Sequence, residues 1–600
     1  TMSATQSRYL PVGIFLATCF GVFILPFFFP PPILEGLSAS NVAGFNNKVA
    51  SVVTAALSVL VLVLSLRSDS FAAEPSAGDY RPLSSRFILL TTLVAVGFVA
   101  CFSALIAYSQ FRYTNDAYYF INQISMHADY GRVLYDQIEF PYGPLLFYSP
   151  ILLRGMLSPF HVSTAGAYFT TLILVHLTGM LTVGWLLNGL PMLYRWRKLF
   201  YLLCAVHTVQ PCFGLNYTYF RFITPAAFLL LASRQQRQWA LAATLFIGQI
   251  ICLGISPEMG FGFLVSGTAY AAWYVYTEGS SRLFAAAAPL VATPVFLLYA
   301  GGGYIRMLGL FAKGVFNFVV EPLPHILLFL YALIWLIPPI LAMYFQRRRK
   351  EAPLMGALYI LCLALLPVAF GRADPGHVFL NEIPLFMLSL VAICWHTPGR
   401  QTVWAVCLTL VLLWSAFINV RNFRGEFQTV IRHWLFQPSA GLPGEAAKAV
   451  LRKLSPSALE RQLRSEREFN PPLDMDALRK LVGNDPVATP TEIPLPAEDA
   501  LRKAGQYVPA FYCFQVAVLD RSAELRQVQE LNASRWLLVP KGSEMTMTVT
   551  PSESASALGL NIPYPEKRPP YVVGRIFDEN LKTNWQAYGQ VGVYEVYKRR

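Results

Sequence analysis

The sequence predicts a mainly α-helical, polytopic membrane domain of about 13 spans, followed by a small C-terminal α/β domain. Three observations lead there. Only 14% of the 600 residues are charged and 55% are hydrophobic, with mean hydropathy +0.45; soluble domains run near 25% charged. Apolar stretches of spanning length follow one another from Tyr9 to Asn419. Beyond Asn419 the composition changes abruptly and no spanning run recurs.

A stretch of about 17–25 apolar residues crosses the hydrocarbon core. Such stretches lie at 9–29, 48–66, 87–109, 166–190, 199–213, 219–232, 239–255, 259–277, 283–302, 325–345, 353–370, 377–395 and 401–419. The first ends in Pro30-Pro31-Pro32 without a small-residue cleavage site, so it reads as a retained span. The pair 199–213 and 219–232 is short and also reads as one kinked hairpin. Pro144 to Leu157 is apolar but too short to span, and reads as re-entrant or interfacial.

Positive charge orients the array. With the N-terminus inside, the inner loops hold Arg67, Arg81, Arg86, Arg195, Arg197, Lys198, Arg234, Arg237 and Arg282. The block Arg347 to Lys350 and Arg400 complete the set. The positive-inside rule favours this arrangement, and an odd span count then puts the C-terminal domain outside. The formal net charge of +13 is explained the same way, and no nucleic-acid partner is expected.

The membrane domain is expected over 1–420 and the extracytoplasmic domain over 421–600 of a multi-pass membrane protein. Residues 440–505 read as short helices and linker. YCFQVAVL, RWLLVP, MTMTVT and the closing GQVGVYEVYKRR read as strands. Eight of the nine cysteines lie in apolar runs and only Cys513 in the soluble part, without CxxC or Cys/His metal spacing.

Ionisable groups at membrane depth are costly and mark functional candidates. Parity places five polar segments on one side. Residues 111–148 carry Asp116, His127, Asp129, Asp136 and Glu139 among many aromatics. Asp129 and Asp136 read most simply as loop solvation. Asp116 follows the end of a span closely enough to take a proton from an acceptor hydroxyl. Arg221 in a tight turn either snorkels or binds phosphate. Glu258 either complements a helix N-terminus or belongs to the site. The segment 303–323, with Arg306 and Lys313, reads as an interfacial helix. Last, Phe370-Gly371-Arg372-Ala373-Asp374-Pro375-Gly376-His377 packs two cationic donors for a phosphate beside an acid that orients them. Its plainer reading is a local salt bridge shaping the turn. Glu382, just inside the next span, is a further buried acid.

This arrangement resembles the GT-C superfamily of polyprenyl-phosphate-sugar-dependent glycosyltransferases. The resemblance rests on Asn115-Asp116-Ala117-Tyr118, on Gly131-Arg132-Val133-Leu134-Tyr135-Asp136 leading to Phe140-Pro141-Tyr142-Gly143-Pro144-Leu145, and on the ending from Asn584 to Gly589 and Val593 to Arg599. It implies inverting transfer of a sugar from a polyprenyl-phosphate-linked donor to a glycan, lipid or protein acceptor outside the bacterial inner or plasma membrane. Asp116 would be the general base, with Arg372, His377 and Arg221 on the donor phosphate. Asp374, Glu258, Tyr118, Asp136 and Glu139 would support them. Asn115 stands where a paired acid would serve a metal, so no cofactor is expected, with a divalent ion as the alternative. Rival functions are a lipid-linked-glycan transporter or flippase, an O-antigen-type ligase or polymerase, and a non-catalytic scaffold. A transporter calls for internal repeats and midplane charges, which the sequence does not display.

Overall fold

The computed structural model describes residues 4–600 except 68–74, 110–115, 209–212, 280–282, 437–440, 470, 491–494, 512–519, 543–545, 547–559, 561, 563 and 565. Every predicted span contains a helix. Helix α1 (Ala4–Cys19) continues through a π turn, Phe20–Ile24, and a short 3-10 turn to Phe27. A short α2 (Ala39–Ala43) leads into α3 (Asn47–Leu66), capped by the Asn46 side chain accepting from the Lys48 and Val49 amides. There follow α4 (Ser85–Ser109), α5 (Asp116–Ala128), α6 (Pro144–Met156), α7 (Thr164–Gly189), α8 (Tyr194–His207) and α9 (Tyr219–Ser233). Next come α10 (Gln238–Ile255), α11 (Pro257–Glu278), α12 (Leu283–Lys313), α13 (Pro324–Tyr331) and α14 (Ile337–Gln346). The membrane part closes with α15 (Ala352–Gly371), α16 (Pro375–Asn381), α17 (Ile383–Ile393) and α18 (Pro398–Phe436).

Among the described residues, eight helical segments are long and apolar enough to cross a bilayer alone, or nine if the bent pair α16–α17 counts as one span. Val12–Phe27 and α9 are apolar but shorter. Helix α3 shows the packing logic. Asn47, Ser51, Thr54, Ser58 and Ser65 form its buried stripe, while Val52, Val59, Leu60 and Val63 are exposed on the other side. Small polar residues let helices approach closely in lipid. The Ser51 and Thr54 hydroxyls donate to carbonyls four residues back, which satisfies them without water.

Three segments differ from the sequence expectation. The span expected over 377–395 is broken: α16 and α17 meet at 74° around Glu382, whose side chain is fully buried. The interfacial helix expected over 303–323 ends at Lys313. It is set off from the preceding span at Gly301, whose φ of 81° is open to glycine. Residues 314–318 then run as a strap, the Phe316 amide donating to Leu37 O (2.6 Å) and the Phe318 amide to Gly371 O (2.8 Å). Helix α18 also runs past residue 420 to Phe436.

The C-terminal region adds α19 (Gly441–Leu454), α20 (Pro456–Phe469), α21 (Met475–Val482), α22 (Leu495–Lys503), α23 (Arg521–Leu531) and α24 (Arg575–Asn584). Its five strands are β1 (Val487–Pro490), β2 (Tyr507–Phe511), β3 (Trp536–Pro540), β4 (Trp585–Val591) and β5 (Tyr594–Arg599). They form one sheet in the order β2-β1-β3-β5-β4, parallel from β2 to β3 and antiparallel from β3 to β4. RWLLVP and the closing hairpin are strands as expected. YCFQVAVL and all of MTMTVT but Thr546 lie outside the described residues. The sequence reading missed β1 and β2, which are short and contain proline.

This sheet domain is bolted to the loop that follows α5. Arg132 pairs with Glu530 at 2.7 Å and donates to Pro509 O at 2.8 Å. Buried Glu139 accepts from both Arg306 of α12 (2.7 Å) and Arg526 of α23. The Arg521 amide donates to Glu35 O (3.0 Å) and the Lys567 amide to Val42 O (3.1 Å). The first loop and the sheet domain therefore share one side of the helical array.

Candidate active site

On that side a cavity of about 640 Å³ opens among the ends of α3, α9, α11, α12, α15 and α16. Its polar end holds Tyr142, Asn216, Arg221, Glu258, Arg372 and His377. The rest of its lining is largely apolar, including Val52, Phe261, Leu308, Phe311, Ala364 and Val368, of which Val52 and Phe261 are more than half exposed.

Asp116 opens α5, which buries Ala117, Tyr119, Phe120, Ile121 and Ile124. Aromatic packing of Phe120 on Phe140, Tyr142 and Tyr168 fixes that helix. The Tyr119 hydroxyl donates to Glu139 O (2.9 Å), and the Tyr168 hydroxyl donates to Phe213 O (2.8 Å) while accepting from the Leu215 amide. These contacts set Asp116 against the turn at 214–217. Gly214 is required there, because a Cβ would stand 2.0 Å from Asn216 Oδ1 and 2.7 Å from Asp116 Cβ.

The motif from Phe140 to Leu145 acquires a physical meaning. The Gly143 amide donates to Ile255 O (2.9 Å), and a Cβ at Gly143 would meet Gly254 O at 2.2 Å. The first loop is thereby pressed onto the turn that bears Glu258. Pro144 then starts α6, where its missing N–H is harmless. The Tyr142 hydroxyl accepts from Asn216 Nδ2 at 2.7 Å, and the Arg221 guanidinium lies 4.9 Å above the Tyr142 ring. Burial, reinforced by the Asp116 charge, pushes the Tyr142 phenol upward, so it stays neutral.

Arg221 is buried in the first turn of α9. It pairs with Glu258, donates to Asn216 O (2.8 Å), and lies beside Ser256 Oγ (3.4 Å). Arg372 ends α15, with its guanidinium 5.5 Å from the Phe318 ring. Asp374 caps α16, accepting from the Gly376 and His377 amides at 3.1 Å each. Its second oxygen is 2.5 Å from His377 Nδ1, and His377 Nε2 is 3.0 Å from the Tyr217 hydroxyl. Burial alone would raise Asp374, but the charge and hydrogen bonds of His377, with Arg372 behind, hold it below the usual carboxylate range. The carboxylate thus fixes the orientation of the ring.

Asp116 responds to the same cluster with the opposite sign. Burial pushes its carboxyl up to about 6, against the charge of Arg372, the hydrogen bond to Asn216, and the charges of His377 and Arg221. A carboxyl ionising there is matched to proton transfer near neutrality.

The chain is similar in layout to ArnT from Cupriavidus metallidurans. Two crystal structures of that protein, one in the apo state and one bound to undecaprenyl phosphate, match it at 11% identity, over 91% of this chain and 97% of that chain. The TM-scores are 0.34 and 0.32. No family model and no curated protein matches the sequence.

The structure brings Arg221, Glu258, Arg372 and His377 together on the cavity lining; Asp116 and Asp374 lie outside that lining, packed against its Asn216 and His377 respectively. It leaves Asp136 exposed on the surface and sends Glu139 to the domain junction. Tyr118 is half-buried and packs against the core beneath the first loop, outside the cavity lining. Asp129 pairs with Arg154 at 2.9 Å. Glu382 points away into the helix core beside Cys362. Lining residues the sequence reading missed are Lys48 at the start of α3, Asn47, Tyr142, Asn216, Tyr217 and Asn381. Among the described residues no three His, Cys, Asp or Glu side chains converge as a metal would need.

Proposed function

We propose that the chain is a membrane glycosyltransferase that moves a sugar, with inversion, from a polyprenyl-phosphate-linked donor to an acceptor hydroxyl. The observation that carries this reading is the shape and charge of one cavity: a cationic end at Arg221, Arg372 and His377, whose charges also act on Asp116, and an apolar flank. That is the negative image of an amphiphile with an anionic head. We take this end as extracytoplasmic, a reading supported by the positive charge of the loops expected on the opposite side. The donor comes from the membrane, and the acceptor (glycan, lipid or protein) enters beneath the sheet domain.

In the reaction, the acceptor oxygen attacks the anomeric carbon while its proton passes to the Asp116 carboxylate. The anomeric C–O bond to phosphate breaks, and the phosphate leaves with the electron pair. Arg372, His377 and Arg221 are fixed in place before charge develops on that leaving group, and preorganised cations of this kind are a large catalytic term. Lys48, exposed at the cavity mouth, adds a positive charge on the path from the membrane.

The test is binding of undecaprenyl phosphate to the detergent-solubilised full chain. Arg372→Ala removes a charge-assisted contact of about 1.5–3 kcal/mol, so affinity should fall by roughly 10- to 150-fold. Unchanged affinity would remove Arg372 from the phosphate site.

A further inference from the structure

The cationic groups of the cavity account for the phosphate, yet its polar lining extends beyond them. Three further side chains line the same cavity, each at least nine-tenths buried: Asn47 (4% exposed), Asn381 (2%) and Glu258 (9%). In each, the donor or first oxygen is committed to the protein. Asn47 Nδ2 donates to both Phe318 O and Phe370 O at 2.8 Å. Asn381 Nδ2 donates to His377 O at 2.9 Å. Glu258 Oε1 accepts from Arg221. What each has left is an acceptor: Asn47 Oδ1, Asn381 Oδ1 and Glu258 Oε2 have no hydrogen-bond partner among the described residues.

Buried polar atoms are nearly always satisfied, so unsatisfied ones call for an explanation. Three unsatisfied acceptors on residues that line one cavity ask for a ligand that brings donors. Phosphate brings none. The hydroxyls of a sugar bring several. Because the amide nitrogens are tied to backbone carbonyls, neither asparagine is free to flip and offer a donor instead. The wall also discriminates by charge. Glu258 borders the polar end, and a carboxylate substituent on the sugar would bring further acceptors, not donors, to its unpaired oxygen and to the two amide oxygens in a poorly hydrated space.

We infer that the donor headgroup is a polyhydroxylated sugar without an anionic substituent, selected by hydrogen bonds from its hydroxyls to Glu258, Asn381 and Asn47. This inference rests on the proposed function and extends it to the class of sugar. Glu258 is assigned two tasks: its first oxygen holds Arg221 for the phosphate, and its second reads the sugar.

The experiment compares matched probes on the full chain in nanodiscs: bare undecaprenyl phosphate, undecaprenyl-phosphoryl glucose and galactose, and the two corresponding uronic acids. The wild-type protein should bind each neutral lipid at least tenfold more tightly than its carboxylated partner. Glu258→Gln, which keeps a contact to Arg221 but removes the charge, should bring that ratio within about threefold. Asn381→Ala provides a second reading should Glu258→Gln fail to fold. It should lower the affinity for a neutral glycosyl lipid, relative to the bare lipid phosphate, by about two- to tenfold, the worth of one neutral hydrogen bond. Equal binding of neutral and carboxylated lipids by the wild type would overturn the inference alone, as would ratios unmoved in folded variants. Failure of the wild type to bind even bare undecaprenyl phosphate would overturn the proposed function and this inference with it.

Discussion

Asp116 titrates at about 6 because burial outweighs the charges of Arg372, His377 and Arg221. If Asp116 is the base, the transfer rate follows its ionised fraction. The carboxylate form is present above the titration point and is lost as pH falls through it. From a value of about 6, roughly nine-tenths is ionised at pH 7 and roughly one-eleventh at pH 5, so the rate should drop about tenfold between them. Arg372→Gln sharpens the test, because Arg372 is the largest of the influences holding Asp116 down. Its removal should move the acid limb of the profile to higher pH, in addition to any loss of rate. The assay is initial transfer from a radiolabelled polyprenyl-phosphate sugar in membranes, measured from pH 4.5 to 8 at subsaturating donor, where the rate reports the free enzyme. A flat profile between pH 5 and 7, or an acid limb that stays in place in Arg372→Gln, would refute the assignment of the base.

Other consequences concern how the site is held. Gly143→Ala puts a methyl into the Gly254 carbonyl and should cost about 1–3 kcal/mol, read as a lower Tm in detergent; an unchanged Tm would mean that the first loop is not pressed on the 254–258 turn. Gly214→Ala should displace Asn216 and Asp116, lowering kcat far more than undecaprenyl phosphate affinity; equal losses in both would argue against a role confined to the base. Glu139→Ala leaves Arg306 and Arg526 facing each other. Because Arg306 is 29% and Arg526 35% exposed, the cost should be about 1–3 kcal/mol, below that of breaking a fully buried pair. Limited proteolysis should then cut the sheet domain faster, and an unaltered rate would show that this junction does not secure it.

Much of this was legible in the sequence because spanning helices are specified locally, by about 20 consecutive apolar residues each. The Arg372–His377 turn was legible for the same reason: charge between two apolar runs has few innocent explanations. What failed to show was whatever depends on the path of the chain between spans. Glu139 reads like Asp116, an acid in an aromatic loop, yet it binds the two arginines that join the domains, one of them contributed by a helix far along the chain. The bend at Glu382 is hidden because Ile383 to Ile393 is as apolar as an unbroken span. Asn47 and Asn381 carry no charge and stand at the start of α3 and the end of α16, so only their meeting at a shared cavity reveals them. Tyr142 lay within a motif whose use became visible only once Gly143 was seen against Gly254.

The central claim is that Asp116 accepts the proton of the attacking hydroxyl while a separate set of cations holds the donor phosphate. The most direct measurement is transfer from a labelled polyprenyl-phosphate sugar by Asp116→Asn, alongside undecaprenyl phosphate binding by the same preparation. Loss of the base should lower the rate by about 10²–10⁴-fold, while lipid binding persists and expression is unchanged. Full activity in Asp116→Asn would contradict the account.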